Sequence, residues 1–369
     1  CGFFFWIRFM TFLDQMSIAP EKKCLPGTKV EKLIMDHEEK LNYPIHWSLL
    51  QFFIKLGAVV NKVHKAVTFA QGPVFKSYIY TNTKLRSTAT SKLDSNFYKL
   101  LNNSLYGKTV ENLRKRLNIR LCNTATRLMT YTSKVSFRKS IKIDNDLVAI
   151  LLNKERVCLD RPSYIGQAVL DLSKLRMYKL KYIKLKKYED KFNCKLNIIA
   201  GDTDSFFLEC FNVSVRDQLI PAMIADEALE TSNYDANHPR FSTKNAFVVG
   251  KYKDETKGAV ELLEGVFLRP KCYSILSNEP NSHILRAKGI TLGGSDINHD
   301  SYLKSYNESV EINVQQTKIT SINHQLFTKK NSKRALSAID NKRHWLSKNE
   351  SVAYGHYSLR QHDDDQALI

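Results

Sequence analysis

No run of the 369 residues approaches the length of a membrane span. The apolar opening Cys1-Gly-Phe-Phe-Phe-Trp-Ile is broken at Arg8 and has no basic segment before it, which does not fit a signal peptide. The seven cysteines include no CxxC pair and no short secreted framework, so neither a zinc ribbon nor a disulfide-stapled domain is expected. They read as reduced, mostly buried thiols. The nine prolines are scattered singly, and there is no repeat or low-complexity stretch. That excludes a solenoid and an obvious linker, and predicts interleaved subdomains. Together these absences point to an intracellular protein with no membrane partner, nuclear or mitochondrial if the host is eukaryotic.

Acid is the scarce charge: 37 Asp and Glu face 56 Lys and Arg, a net +19. The positive residues are spread over the chain instead of forming one tail, which favours an extended polyanion, nucleic acid first, as partner. A solvated basic surface of no special purpose is the alternative. With 43% hydrophobic residues, the chain can bury the cores of two or three cooperating subdomains.

Hydrophobic spacing predicts a short helix followed by a strand over residues 48–68, and a helix from about Thr88 to Tyr106. On that helix Leu93, Phe97, Leu100, Leu101 and Ser104 form the face expected to be buried. Short β-like runs, Asn118–Cys122 and Asp146–Leu152, predict a small β insertion. A long helix is predicted from Tyr164 to Tyr188, with Ile165, Val169, Leu172, Leu175, Tyr178 and Tyr182 on its apolar stripe. Leu196–Ala200 and Ser205–Cys210 then read as a β-hairpin anchored by Ile198, Ile199, Phe206 and Phe207.

The tip of this hairpin carries Asp202 and Asp204. Two carboxylates on a rigid mount form a hard oxygen site for Mg²⁺, which takes one or two carboxylates and fills its shell with water and phosphate oxygens. An Asx turn uses the same residues and is the plainer alternative. On the helix before it, Lys92, Asn96, Lys99, Asn103 and Tyr106 recur at steps of three and four and form one polar stripe. Lysines there offer charge to a triphosphate, and Tyr106-Gly107 offers a flat ring beside an approachable backbone. A solvated helix face is the alternative.

Three segments together resemble a known family. Lys99-Leu-Leu-Asn-Asn103-Ser104-Leu-Tyr106-Gly107 resembles the KxxxNSxYG motif of family B DNA polymerases, Asp202-Thr203-Asp204-Ser205 their DTDS metal motif, and Lys271-Cys272-Tyr273 their KxY motif. They occur in the family's order, about 100 and about 65 residues apart. Asn42–His46, Lys62–Lys65, Leu172–Tyr178, Gly250–Glu255 and Ala353–Tyr357 are similar to stretches of the protein-primed subgroup of mobile elements, of the Polinton/Maverick, linear-plasmid and viral type. The chain resembles the C-terminal part of that polymerase core, from about Ala19 to Tyr357.

The resemblance implies an α+β right-hand fold, incomplete at the N-terminus: a palm of antiparallel sheet packed on helices, with helical fingers and a thumb. Residues 1–56 would be a palm-proximal segment and 57–110 the fingers. Residues 111–282 would be the palm, with the insertion at about 114–160 encircling template, and 283–369 the thumb. The implied function is DNA-directed DNA polymerisation in replication of a mobile or extrachromosomal element, with two Mg²⁺ ions, replaceable by Mn²⁺. DNA template-primer, deoxynucleoside triphosphates and a terminal priming protein are the implied partners. Lys99, with Lys92, would meet the nucleotide's phosphates. Tyr106 would exclude a 2′-hydroxyl, and Asn103, Ser104 and Gly107 would shape the base-pair pocket. Asp204 would hold metal, with Asp202 a nearer-to-structural partner. Lys271 and Tyr273, with Thr203 and Ser205, would steady DNA at the primer end.

Two departures stand out. Ala200 occupies the place of the family's usual aromatic residue before the first aspartate. The first metal motif, an Asp-x-x-Ser strand end, is matched only by Asp14-Gln-Met-Ser17-Ile-Ala-Pro20, yet Ala19–Lys22 resembles a stretch downstream of that motif. The second metal-binding carboxylate that the resemblance implies would be Asp14, would lie upstream of Cys1 as the implied exonuclease domain would, or is missing. A catalytically inactive nucleic-acid-binding remnant is the rival reading. A reverse transcriptase would instead show adjacent aspartates in the hairpin. The acidic run Asp363–Asp365 has them, but reads as a solvated tail.

Overall fold

The computed structural model describes residues 2–10 (backbone only), 19–25, 29–246, 248, 250–279, 282–293, 295–322, 325–347, 350–356 and 358–359. Asp14, Cys1, Tyr357 and Asp363–Asp365 lie outside the described residues. In chain order the elements begin with β1 (Gly2–Met10), β2 (Ala19–Cys24), β3 (Glu31–Asp36), β4 (Lys40–His46), α1 (Trp47–Lys55) and β5 (Val59–Phe69). Then come α2 (Lys76–Ser87), α3 (Lys92–Thr109), β6 (Leu117–Cys122), α4 (Ala125–Thr132), β7 (Phe137–Asp144) and β8 (Leu147–Asn153). A long helical stretch follows: α5 (Ser163–Lys179), a turn widened to π geometry (Leu180–Leu185), and α6 (Lys186–Phe192). Next are β9 (Lys195–Asp202), β10 (Ser205–Phe211), α7 (Ile220–Ala225), β11 (Leu229–Glu230), β12 (Tyr252–Lys253), β13 (Leu262–Arg269), β14 (Cys272–Ser277) and β15 (Ile284–Ala287). The chain closes with α8 (His299–Glu308), β16 (Ile312–Ile322), β17 (Gln325–Leu336), β18 (His344–Trp345) and β19 (Ser351–Val352).

The chain divides into two compact units: residues 1–73, 168–313 and 334–369, and residues 74–167 with 314–333. In the first unit β1 is the centre of an antiparallel sheet ordered β4-β1-β5. Its core gathers Ile45 of β4, Leu49, Leu50, Phe52 and Phe53 of α1, and Leu175 and Tyr178 of α5. A second core joins Leu180, Leu185 and Tyr188 of the long helical stretch to Leu196 of β9 and to Leu219, Ile220 and Met223 around α7. Antiparallel sheet β13-β14-β15 stands beside them. Lys40, 2% exposed, is paired with Asp36, 1% exposed, and with Glu21 at 3.1 Å, so each buried charge has a partner.

In the second unit α2 and α3 form a helical pair, and β6-β8-β7 is an antiparallel sheet capped by α4, with Cys122, Ile150 and Leu152 as its core. Val110 packs closely on Gly166, where an added Cβ would stand 2.1 Å from Val110 Cγ1. No helix among the described residues is long and apolar enough to cross a membrane.

The expected helix and strand at 48–68, the β insertion and the hairpin at 196–210 are all present, the insertion with an unforeseen helix and third strand. Three burial expectations are corrected. On α3, Leu93, Phe97 and Leu100 are 78%, 52% and 60% exposed, because Tyr98, Leu101, Asn102 and Leu105 form its half-buried face. On α5, Val169 and Leu172 are exposed while Asp171 is buried, its carboxylate accepting the His46 amide at 2.7 Å. Cys24 and Cys158 are exposed, leaving Cys122 and Cys272 as the buried thiols among the described cysteines.

Candidate active site

The acidic hairpin is held on both faces within the first unit. Phe206, Leu208 and Cys210 of β10 point to one side and pack on the helical core around Leu180, Tyr188 and Ile220, with Leu196 of β9 fully buried there. Phe207, on the opposite face by the two-residue period of a strand, meets Phe267 of β13 at 5.2 Å and Tyr273 of β14 at 5.3 Å between ring centroids. Ile199 is 54% exposed, so Leu196 takes the anchoring place expected of it.

Asp202 pairs with Ser205 across the hairpin, leaving Thr203 and Asp204 as the tip. The Asp204 amide donates to the Asp202 carbonyl at 2.7 Å, and Thr203 has φ +63°. A β-branched residue in the left-handed region is a steric outlier, and such strain costs on the order of 1–3 kcal/mol. Ser205 Oγ donates to the Asp202 carbonyl at 3.2 Å and helps to hold the turn.

The two aspartates have different surroundings. Asp202 is half-buried; Lys271 Nζ donates to its Oδ1, and the Tyr273 hydroxyl lies 3.5 Å from its Oδ2. Lys271 Nζ also reaches Thr203 Oγ1 at 3.1 Å. Partial burial pushes the Asp202 carboxyl up, but hydrogen bonds from Lys271 and Thr203 outweigh it and hold the group below its ordinary value. Burial and the Asp202 charge push the Tyr273 hydroxyl up. The Asp204 side chain is exposed, and its carboxylate has no ion pair or hydrogen bond among the described residues. Strand patterning pointed to the hairpin and the family resemblance to the KxY segment, and the fold joins Asp202, Thr203, Ser205, Lys271 and Tyr273 at one tip.

In the second unit, α3 starts at Ser91, whose Oγ accepts the Asp94 amide at 3.0 Å. Asn102 pins α3 to α2: its Oδ1 accepts from the buried Asn82 at 3.0 Å, and its own amide reaches Thr83 Oγ1 at 3.4 Å. With that face turned inward, Lys92, Asn96, Lys99, Asn103, Ser104 and Gly107 are exposed and Tyr106 is half-buried. A Cβ on Gly107 would meet no atom within 4 Å, so packing within the chain does not require glycine there. The Asn82–Asn102 clasp was missed because apolar periodicity carries no signal for a polar pair between helices.

No three His, Cys, Asp or Glu side chains gather as a cation cage among the described residues. Asp204 supplies one free carboxylate at a rigid tip, which fits a hard cation that completes its shell with water and phosphate oxygens.

Residues 22–198 match the family of DNA polymerase type B, organellar and viral, a stretch that includes the α3 motif and ends before Asp202. No curated protein matches the chain. Among solved structures, phi29 DNA polymerase complexed with primer-template DNA and incoming nucleotide substrates matches with a TM-score of 0.52 at 14% identity, over 91% of this chain and 51% of that one. An orthorhombic crystal form of phi29 DNA polymerase matches with a TM-score of 0.49 at 13% identity over the same shares. The chain thus spans about half the length of the polymerase whose fold it shares. Residues 22–198 thus resemble that family, and the chain shares its fold with about half of phi29 DNA polymerase.

Proposed function

We propose that the chain is the polymerase core of a protein-primed type B DNA polymerase of a mobile or extrachromosomal element. It transfers deoxynucleotides to a 3′-hydroxyl or to a priming protein under the direction of a DNA template. The observation that carries this reading is the strained Asp202-Thr203-Asp204 turn, clamped on both faces and leaving the Asp204 carboxylate exposed. A fold tolerates such strain where the turn has work to do. In this reading β9, β10, α5 and α6 belong to the palm, α2 and α3 to the fingers, and residues 283–369 to the thumb.

Asp204 would hold a divalent cation, Mg²⁺ with Mn²⁺ as substitute; Asp14, the other candidate carboxylate, lies outside the described residues. Such an ion, when bound, supplies positive charge to the attacking 3′-oxygen and the transferring phosphoryl group. The chain's own residues do the rest. Lys99 and Lys92 neutralise the triphosphate from the exposed stripe of α3, as charge builds on the leaving pyrophosphate. Asn103, Ser104 and Gly107 leave a shallow surface for the nascent base pair, and Tyr106 places a ring where a 2′-hydroxyl would collide. Tyr273, fixed by the Phe207–Phe267 cluster, steadies the primer end.

A catalytically inactive DNA-binding remnant is the second reading, favoured by the lack of a third metal-ligating side chain near Asp204 among the described residues. Primer extension separates the two. D204A should retain DNA binding and lose extension by more than about 100-fold, the upper end of what losing even an outer-shell partner of a metal costs. DNA binding without extension by the native chain would refute the polymerase reading, and equal extension by D204A and the native chain would remove Asp204 from it.

A further inference from the structure

Lys271 sits at the tip of the β13–β14 hairpin with φ +59°, and Thr203 at the tip of β9–β10 with φ +63°. Two tight turns, each with a non-glycine residue in the left-handed region, thus meet tip to tip. The contact is made by Lys271 Nζ, which bridges Asp202 Oδ1 and Thr203 Oγ1, and is backed by the Tyr273 hydroxyl on Asp202 Oδ2. Both oxygens of Asp202 are therefore engaged within the protein, whereas the neighbouring Asp204 carboxylate has no side-chain partner among the described residues. The DTDS resemblance implies Asp204 as the metal holder and Asp202 as a nearer-to-structural partner, without a reason for the difference. Their surroundings make them unlike.

We propose that Lys271 is a positioning residue that acts as the built-in counter-charge of Asp202, keeping that carboxylate out of the cation's coordination shell and so assigning the ion to Asp204. A lysine spent in this way is not available to a primer phosphate while the pair is closed. The turn also gains from it, since a bare pair of carboxylates two residues apart would repel at the strained tip. Tyr273 contributes a second donor from the same hairpin, so one rigid element supplies both restraints. The inference deepens the polymerase reading for this tip, but rests on a contact that exists whether or not the chain polymerises DNA.

The test is Mn²⁺ binding to the full chain, without DNA or nucleotide, followed by electron paramagnetic resonance. K271M frees Asp202 and should bind Mn²⁺ tighter by about fivefold, the factor expected of one partly solvated charge interaction. K271R should bind as the native chain does. In a D202N background, K271M should have no effect. R286M removes a nearby charge that does not touch Asp202, and should shift affinity less than K271M does. K271Q, checked by circular dichroism, replaces K271M should the latter fail to fold. Unchanged or weaker Mn²⁺ binding in a folded Lys271 variant, or an equal gain with D202N present, overturns the proposal. Primer extension on the same preparations reports separately on the polymerase reading, which can fail while the Mn²⁺ result stands.

Discussion

Gly107 is where a single side chain best separates a structural role from a functional one. It lies within α3, where glycine weakens a helix relative to alanine, and a Cβ would meet nothing. G107A should therefore stabilise the chain by roughly 0.5–1 kcal/mol in urea unfolding. If the surface beside Tyr106 takes a base pair, the same variant should lower nucleotide incorporation, so stability and activity move in opposite directions. A variant both more stable and equally active would show that this glycine serves neither packing nor substrate. Thr203 makes the complementary case, because its left-handed backbone is visible only in the fold. Nothing in the letters Asp-Thr-Asp distinguishes that turn from an ordinary Asx turn.

The C-terminal end of α3 is fastened by an ionic cluster. Glu111 accepts from Arg116 Nε and Nη2, both at 2.7 Å, pairs with Lys108 at 3.0 Å, and is reached by Arg161 Nε at 3.4 Å. Hydrogen bonds from Arg116 and then Lys108 hold its carboxyl well below the ordinary 4.5, at about 2. A carboxylate whose folded value is depressed stabilises the native state above its ordinary value, and that contribution fades as pH falls from about 4.5 to about 2. Urea unfolding should accordingly show a loss of stability as pH falls from about 4.5 to about 2 that is smaller in E111Q. An identical pH dependence in both proteins would remove Glu111 from the account. At this scale the sequence was a partial guide. Strands β6, β8, β9 and β10 were legible because alternating or continuous apolar runs have few other uses. The buried face of α3 was misread because its apolar residues Leu93, Phe97 and Leu100 are exposed, while the contact with α2 is made through Asn102 and the Leu101 carbonyl. The inward turn of Asp171 on α5 escaped for the same reason: a buried polar group is defined by its distant partner, here the His46 amide.

Across the whole molecule the excess of positive charge, +19, is the property most directly tied to a polyanionic partner. Binding to duplex DNA should weaken linearly on a logarithmic salt scale, with a slope of about −0.9 per neutralised phosphate. A flat salt response would contradict a DNA-binding role for the chain. The three motifs that carried the family resemblance fall in different parts of the fold: the α3 stripe in one unit, and the acidic turn and the Lys271 hairpin together in the other. Their order was readable from the sequence, but the contact between Asp202 and Lys271 was not, since 69 residues separate them and no periodicity links two hairpin tips. The proposed activity is selection of a nucleotide against a template and its joining to a primer. Single-nucleotide incorporation, with the templating base varied through all four and with dNTPs and rNTPs compared, measures it most directly. The account predicts addition of the complementary deoxynucleotide alone, abolished by D204A. DNA binding by the native chain with no incorporation, or incorporation indifferent to the templating base, would contradict it.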